Sequence, residues 1–145
     1  MNADYIVIGP GDLYTSIVPN LLSCGMREVL DASNAKLIYV CNAMTKRGET
    51  TNMEVIDFID TIERYIDPGK LDYVIVNNGT IADEIVTKYK EEENKKPLKI
   101  KDPTLFLGKS YKLIERDIVN DDDYVRHDPI KLGKILEDIV GGWIR

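Results

Sequence analysis

Three short runs of β-branched and aromatic residues constrain this chain more than any other feature: Tyr5-Ile6-Val7-Ile8, Leu37-Ile38-Tyr39-Val40-Cys41 and Tyr73-Val74-Ile75-Val76. Each is apolar without a break, where a half-buried strand would alternate with polar residues. A strand apolar on both sides needs cover on both sides. A parallel sheet between layers of helices supplies that cover. The expected fold class is therefore α/β: a Rossmann-like, three-layer α/β/α arrangement around a mostly parallel sheet.

The connections support this reading. Between the second and third runs, Val55, Ile59, Ile62 and Ile66 recur at helical spacing, after a Thr51-x-x-Glu54 capping-box pattern and before Pro68-Gly69. Residues 17–22 and 27–32 supply helical material between the first two runs, with a break near Gly25. Residues 80–89 form a further helix, with Asp83 and Glu84 favourably placed in its first turn. Residues 91–101 are charged, contain Pro97 and read as a solvated connection, while residues 111–119 read as a strand centred on Leu113 and Ile114. At the end, Asp128-Pro129 pairs a capping side chain with a residue fixed for the first helical turn. The stripe Leu132, Ile135, Leu136, Ile139 and Val140 then docks a final helix on the sheet.

With 145 residues, 43% of them hydrophobic, the chain can bury one core and no more, so residues 1–145 are read as a single domain. No stretch approaches the roughly 20 apolar residues of a membrane helix, and no membrane partner is expected. Cys24 and Cys41 have no Cys or His neighbours at ligand spacing, which fits a reducing, cytoplasmic setting. A formal charge of −6 without a basic cluster argues against a nucleic-acid partner.

In open α/β sheets, ligands bind beyond the carboxyl ends of the strands, so the residues after each run are the candidate site. The first loop holds Gly9, Pro10, Gly11, Asp12, Tyr14, Thr15 and Ser16. Its glycines let backbone approach a ligand, and a helix opening at Thr15 or Ser16 would offer unpaired N–H groups to a phosphate. The second holds Asn42, Thr45, Lys46, Arg47, Gly48, Glu49 and Thr50: two cations for phosphate, amide and hydroxyl groups for a sugar or base. The third run ends in Asn77 and Asn78. Each loop alone also reads as a capped turn; three polar loops on one edge favour a site for a phosphate-bearing ligand. His127 reads most simply as part of a helix start, and Asp121, Asp122 and Asp123 as a solvated loop instead of a magnesium cluster. No nucleophile and base stand at identifiable spacing, so no catalytic residue is assigned.

The segments ADYIVIGPGDLYTSIVPNLL, AKLIYVCNAMTKRGETTN and VRHDPIKLGKIL, at residues 3–22, 35–52 and 125–136, resemble the bacterial gluconeogenesis factor family, relatives of the 2-phospho-L-lactate transferases. The resemblance covers nearly the whole chain but only the C-terminal half of such proteins, so the fold is expected to be an incomplete half and the chain a fragment. It implies a cytoplasmic regulatory factor for cell shape and growth on gluconeogenic carbon sources, binding nucleotides or nucleotide sugars such as UDP-N-acetylglucosamine. By motif position it assigns ligand contact to Gly9, Gly11, Tyr14, Thr15 and Ser16, and to Asn42, Thr45, Gly48, Glu49 and Thr50. Two departures stand out. Asp12 replaces a more usual serine, and Lys46-Arg47 a more usual Gln-Pro, which moves a phosphate toward the second loop or admits a magnesium ion at Asp12.

Two further readings stay open. The transferase relatives imply a phospholactyl-type group transferase using magnesium near Asp12 and Glu49. An interaction module is the other: an exposed sheet edge would be covered by a second copy, or by the N-terminal half that the resemblance says is missing.

Overall fold

The computed structural model describes residues 2–120 and 124–144; Met1, Asp121, Asp122, Asp123 and Arg145 lie outside them. The three apolar runs form strands β1 (Tyr5–Ile8), β2 (Lys36–Val40) and β3 (Leu71–Asn77), joined by β4 (Lys112–Arg116). All neighbours are parallel, in the order β1-β2-β3-β4. An α/β fold with a parallel four-stranded sheet is thus present.

Helices α1 (Val18–Leu21), α2 (Met26–Ala32) and α3 (Val55–Glu63) pack on one face of this sheet. They meet Leu37, Tyr39, Val74 and Val76 in the larger core cluster. The opposite face, with Ile38, Val40, Ile75 and Ile114, is covered by α5 (Pro129–Val140) through Ile135 and Ile139. Helix α4 (Asp83–Glu93) buries none of its residues fully. Its Ile85 and Val86 cover only a small cluster of Ala43, Ile81 and Val119.

Local rules explain most boundaries, and several differ from the sequence reading. Asp128 caps α5 as expected, its carboxylate accepting from the N–H groups of Ile130 and Lys131 at 2.8 and 3.0 Å. Helix α3 starts at Val55 because Glu54, not Thr51, precedes it, with the Asp57 carboxylate accepting from Glu54 N–H at 2.7 Å. The Thr51 hydroxyl accepts instead from Gly48 N–H. Ile66 is buried but lies past the end of α3. The first connection begins with a π-helical turn, Leu13–Ile17, before α1, and α2 starts behind Gly25 at φ +78°. Helix α4 starts at Asp83, three residues later than Thr80.

Two expectations are overturned. β1 is an edge strand, and Val7 is 44% exposed, so its two faces are not both covered. Residues 91–101 are not simply solvated: Leu98 is buried, and Met44 and Pro97 form an antiparallel bridge. Among the described residues no helix is long and apolar enough to cross a membrane.

Ile139→Ala removes buried methylene groups from the α5 contact and is expected to cost about 3 kcal/mol in urea titrations. Leu107→Ala, at a 77% exposed position, is expected to change stability by less than about 0.5 kcal/mol. Equal losses would mean that α5 does not seal that face.

Candidate functional site

Because β1, β2 and β3 run parallel, the chain leaves each of them on the same rim. The first turn needs glycine at position 9. Its φ is +82°, and a Cβ there would stand 2.9 Å from the Val40 carbonyl oxygen. The Gly9–Pro10 peptide bond is cis. Beyond it, the Asp12 carbonyl accepts from both Ser16 and Ile17 N–H at 2.9 Å, which starts the π-helical turn. The first and second loops are tied together: Asn42 Nδ2 donates to the Gly11 carbonyl at 2.9 Å, and Lys46 Nζ donates to the Asp12 carboxylate at 2.6 Å.

Between these loops lies a cleft of about 490 Å³. Pro10, Gly11 and Asp12 of the first loop line it, together with Asn42, Ala43, Met44, Thr45 and Lys46 of the second. Tyr89, Lys95, Val125, Arg126 and His127 complete the lining. This last group holds no residue that the sequence reading placed in the site. Tertiary pairing brings it there: Val119 bridges His127 antiparallel, and Asn120 and Arg126 exchange backbone and side-chain hydrogen bonds at 2.9 Å. His127 then reaches across to β2, with Nε2 3.1 Å from the Cys41 carbonyl. The VRHDP motif was the available signal for Arg126 and His127.

The sequence candidates fall into separate places. Pro10, Gly11, Asp12, Asn42, Thr45 and Lys46 share the cleft. Gly9 and Ser16 line a groove along β1 instead, and Tyr14, Gly48 and Glu49 line a third depression beside α3. Thr15 touches Lys46 Nζ at 3.4 Å, and Arg47 is exposed outside these depressions. Several polar candidates hold the loops in place. Thr50, itself buried, accepts from Lys46 N–H at 2.8 Å, and Thr45 accepts from Lys96 N–H at 2.9 Å. Asn77 is buried, its Oδ1 accepting from Gly79 and Ile118 N–H at 3.1 Å. Asn78 N–H donates to the Arg116 carbonyl, and neither asparagine lines the cleft.

Of Lys46 and Arg47, the two cations expected to attract a phosphate, Lys46 is already held by carboxylates. Lys46 Nζ lies 2.6 Å from Asp12 and 2.7 Å from Glu49, and these two carboxylates raise its pKa above the ordinary lysine value. Its charge is already neutralised. Lys95 pairs with Glu93 and stacks on Tyr89, 5.4 Å from the ring centroid. Arg126 forms no ion pair among the described residues, so its guanidinium is the cation in the cleft open to an anion. Burial pushes the His127 imidazole below its usual 6.5, against a smaller opposing effect of the Cys41 carbonyl. Magnesium does not fit Asp12 and Glu49 as they stand, since Lys46 occupies the place between them that a divalent cation would take. Among the described residues no group of three or more His, Cys, Asp or Glu is arranged to hold a metal.

Comparison with known proteins adds to this geometry. The family profile 2-phospho-L-lactate transferase CofD matches residues 1–119. A Thermoanaerobacterium thermosulfurigenes protein is 43% identical over 137 residues, covering 94% of this chain and 42% of its own length. The gluconeogenesis factor of Bacillus subtilis is 37% identical over 144 residues, covering 95% and 43%. The crystal structure of a UPF0052 family member from Bacillus halodurans superposes with a TM-score of 0.84 at 35% identity, over 93% of this chain and 43% of that one. The chain thus spans less than half the length of these relatives.

Gly9→Ala is expected to destabilise the protein by about 1–3 kcal/mol in urea titrations, because alanine meets both the left-handed backbone and the Val40 carbonyl. A neutral change would mean that the first loop is free to reshape. For His127 the folded state binds its proton less readily than the unfolded chain. Stability is therefore flat above about pH 6.5 and falls as pH drops below it. Asp67, Asp102 and Asp128, whose pKa values are lowered, add losses only below about pH 4. Thermal melts between pH 7.5 and 5 should thus show a decline that His127→Gln removes.

Proposed function

The chain belongs to the 2-phospho-L-lactate transferase CofD family, its relatives including proteins named gluconeogenesis factor, and from that premise we propose that it is a regulatory protein that binds a nucleotide sugar in the cleft. The observation that carries this reading is Arg126. Among the described residues its guanidinium has no ion-pair partner, and Arg126 lines the same cleft as residues 10–12, where Lys46 and Lys95 are each paired with carboxylates. A planar fork of donors matches the paired oxygens of a phosphate. Asp12 holds phosphate away from the first turn by repulsion, so the diphosphate lies toward Arg126. The ring of Tyr89, which lines the same cleft, gives a stacking surface for a base or sugar. Roles in cell shape and in growth on gluconeogenic carbon sources follow from this reading of the family.

A phosphorus-group transferase using magnesium is the second reading. Its carboxylates, Asp12 and Glu49, are bound to Lys46 in this structure, and no observation favours it.

Nuclear magnetic resonance titration of the chain with UDP-N-acetylglucosamine is expected to shift the amides of Gly11, Lys46, Arg126 and His127 at millimolar ligand. Calorimetry of the Bacillus subtilis gluconeogenesis factor should show tighter binding, since this chain is less than half of such a protein. Arg126→Ala should weaken binding at least about tenfold, the worth of one charge-assisted contact. No shift in the chain and no heat with the relative would end the proposal.

A further inference from the structure

Arg126 reaches the cleft on a short segment outside the four-stranded sheet, so its position depends on what holds residues 117–120, with which that segment pairs. The backbone there can be followed bond by bond. Asp128 N–H donates to the Ile118 carbonyl at 2.8 Å, and Asn120 N–H donates to the Arg126 carbonyl at 2.9 Å. Asn120 Oδ1 accepts in turn from Arg126 N–H at 2.9 Å. These bonds flank Val119 and His127, which oppose each other as a non-hydrogen-bonded antiparallel pair. In such a pair the N–H and carbonyl of Val119 both point away from His127.

Val119 is buried, so leaving either group unmet would carry the cost of an orphaned backbone polar group. One ion pair meets both. Asp117 Oδ1 accepts from Val119 N–H at a long 3.4 Å, and Lys131 Nζ donates to the Val119 carbonyl at 2.7 Å. Lys131 Nζ also donates to Asp117 Oδ2 at 2.8 Å, which joins the two contacts. The fit around Asp117 is close: a Cβ on Gly79 would lie 2.2 Å from its Oδ1. Lys131 is the third residue of α5, in the turn where the helix dipole disfavours a cation. The two acceptors it meets offset that placement.

We propose that Lys131 is a positioning residue for the cleft. By joining the Val119 carbonyl to Asp117 it fixes the segment on which residues 126–128 are paired, and with it the place of the Arg126 guanidinium. The inference rests on the reading of the cleft as a nucleotide-sugar site with Arg126 as its anion contact. Lys131 itself is not among the residues that line the cleft, so its effect on a ligand passes through Arg126. A partly exposed ion pair adds little to stability. A binding group, by contrast, must be held within about 0.5 Å of its productive place. Loss of Lys131 is therefore felt in recognition before it is felt in folding.

Two measurements test it, using Lys131→Met, which keeps the aliphatic stem, and Lys131→Arg, which keeps the charge. In hydrogen exchange followed by nuclear magnetic resonance, Lys131→Met is expected to speed the Arg126 and Asn120 amides about tenfold. The Cys41 amide, bonded to Ile75 in the sheet, should keep its rate, whereas a general loss of stability would speed all three. In titration with UDP-N-acetylglucosamine, initial slopes should show binding about fivefold weaker in Lys131→Met and less than about twofold weaker in Lys131→Arg. In the Arg126→Ala background, Lys131→Met should add less than about twofold, because the two residues act through one contact. The full loss repeated in that background overturns the proposal. So does unchanged affinity in Lys131→Met, or unchanged exchange at Arg126. If the wild-type chain does not bind, the nucleotide-sugar reading fails by itself, and the exchange rates alone decide whether Lys131 holds Arg126 in place.

Discussion

One constraint organises this molecule: four strands are hydrogen-bonded in parallel, so each must be left at the same end. A parallel neighbour can be reached only by a crossover that returns the chain to the starting rim. The polar loops after β1 and β2 are therefore neighbours by necessity, and side chains only have to tie them. Asn42 does so through the Gly11 carbonyl and Lys46 through Asp12. Gly9, pressed against Val40, shows how close the backbone of the two loops must come.

The tie through Lys46 also decides the electrostatics of the rim. Surface ion pairs contribute little to stability, and these three groups are only partly shielded from water. Their effect is on recognition. A lysine held between two carboxylates offers neither a free cation to phosphate nor a free carboxylate to a metal. The task of meeting an anion passes to Arg126, which the pairing of Val119 with His127 brings to the same cleft. Function and framework thus use different residues on one rim. Thr45, Thr50 and Asn77 are buried, and their hydrogen bonds hold backbone in place.

The two faces of the sheet are unequal for a related reason. Helices that connect sequential parallel strands collect on one side, and the other side depends on α5 alone. A single helix cannot cover four strands, so β1 is left with a bare valine although its sequence is as apolar as that of β2. Apolar composition shows what a strand needs; the winding shows whether this chain alone can supply it.

Sequence by itself determined the elements whose causes are local. The unbroken apolar runs became β1, β2 and β3, the i, i+3, i+4 stripe became α3, and Asp128-Pro129 opened α5, because strand pairing, helical spacing and capping act within a few residues. Family membership was legible as well, since it rests on ordered motifs. Only the tertiary structure decided which polar residues face the cleft. His127 reaches a carbonyl 86 positions away, Thr45 bonds a backbone group 51 positions away, and Lys46 finds Asp12 34 positions away. Such contacts depend on where the sheet brings distant backbone together, and no local pattern of residue types encodes that distance.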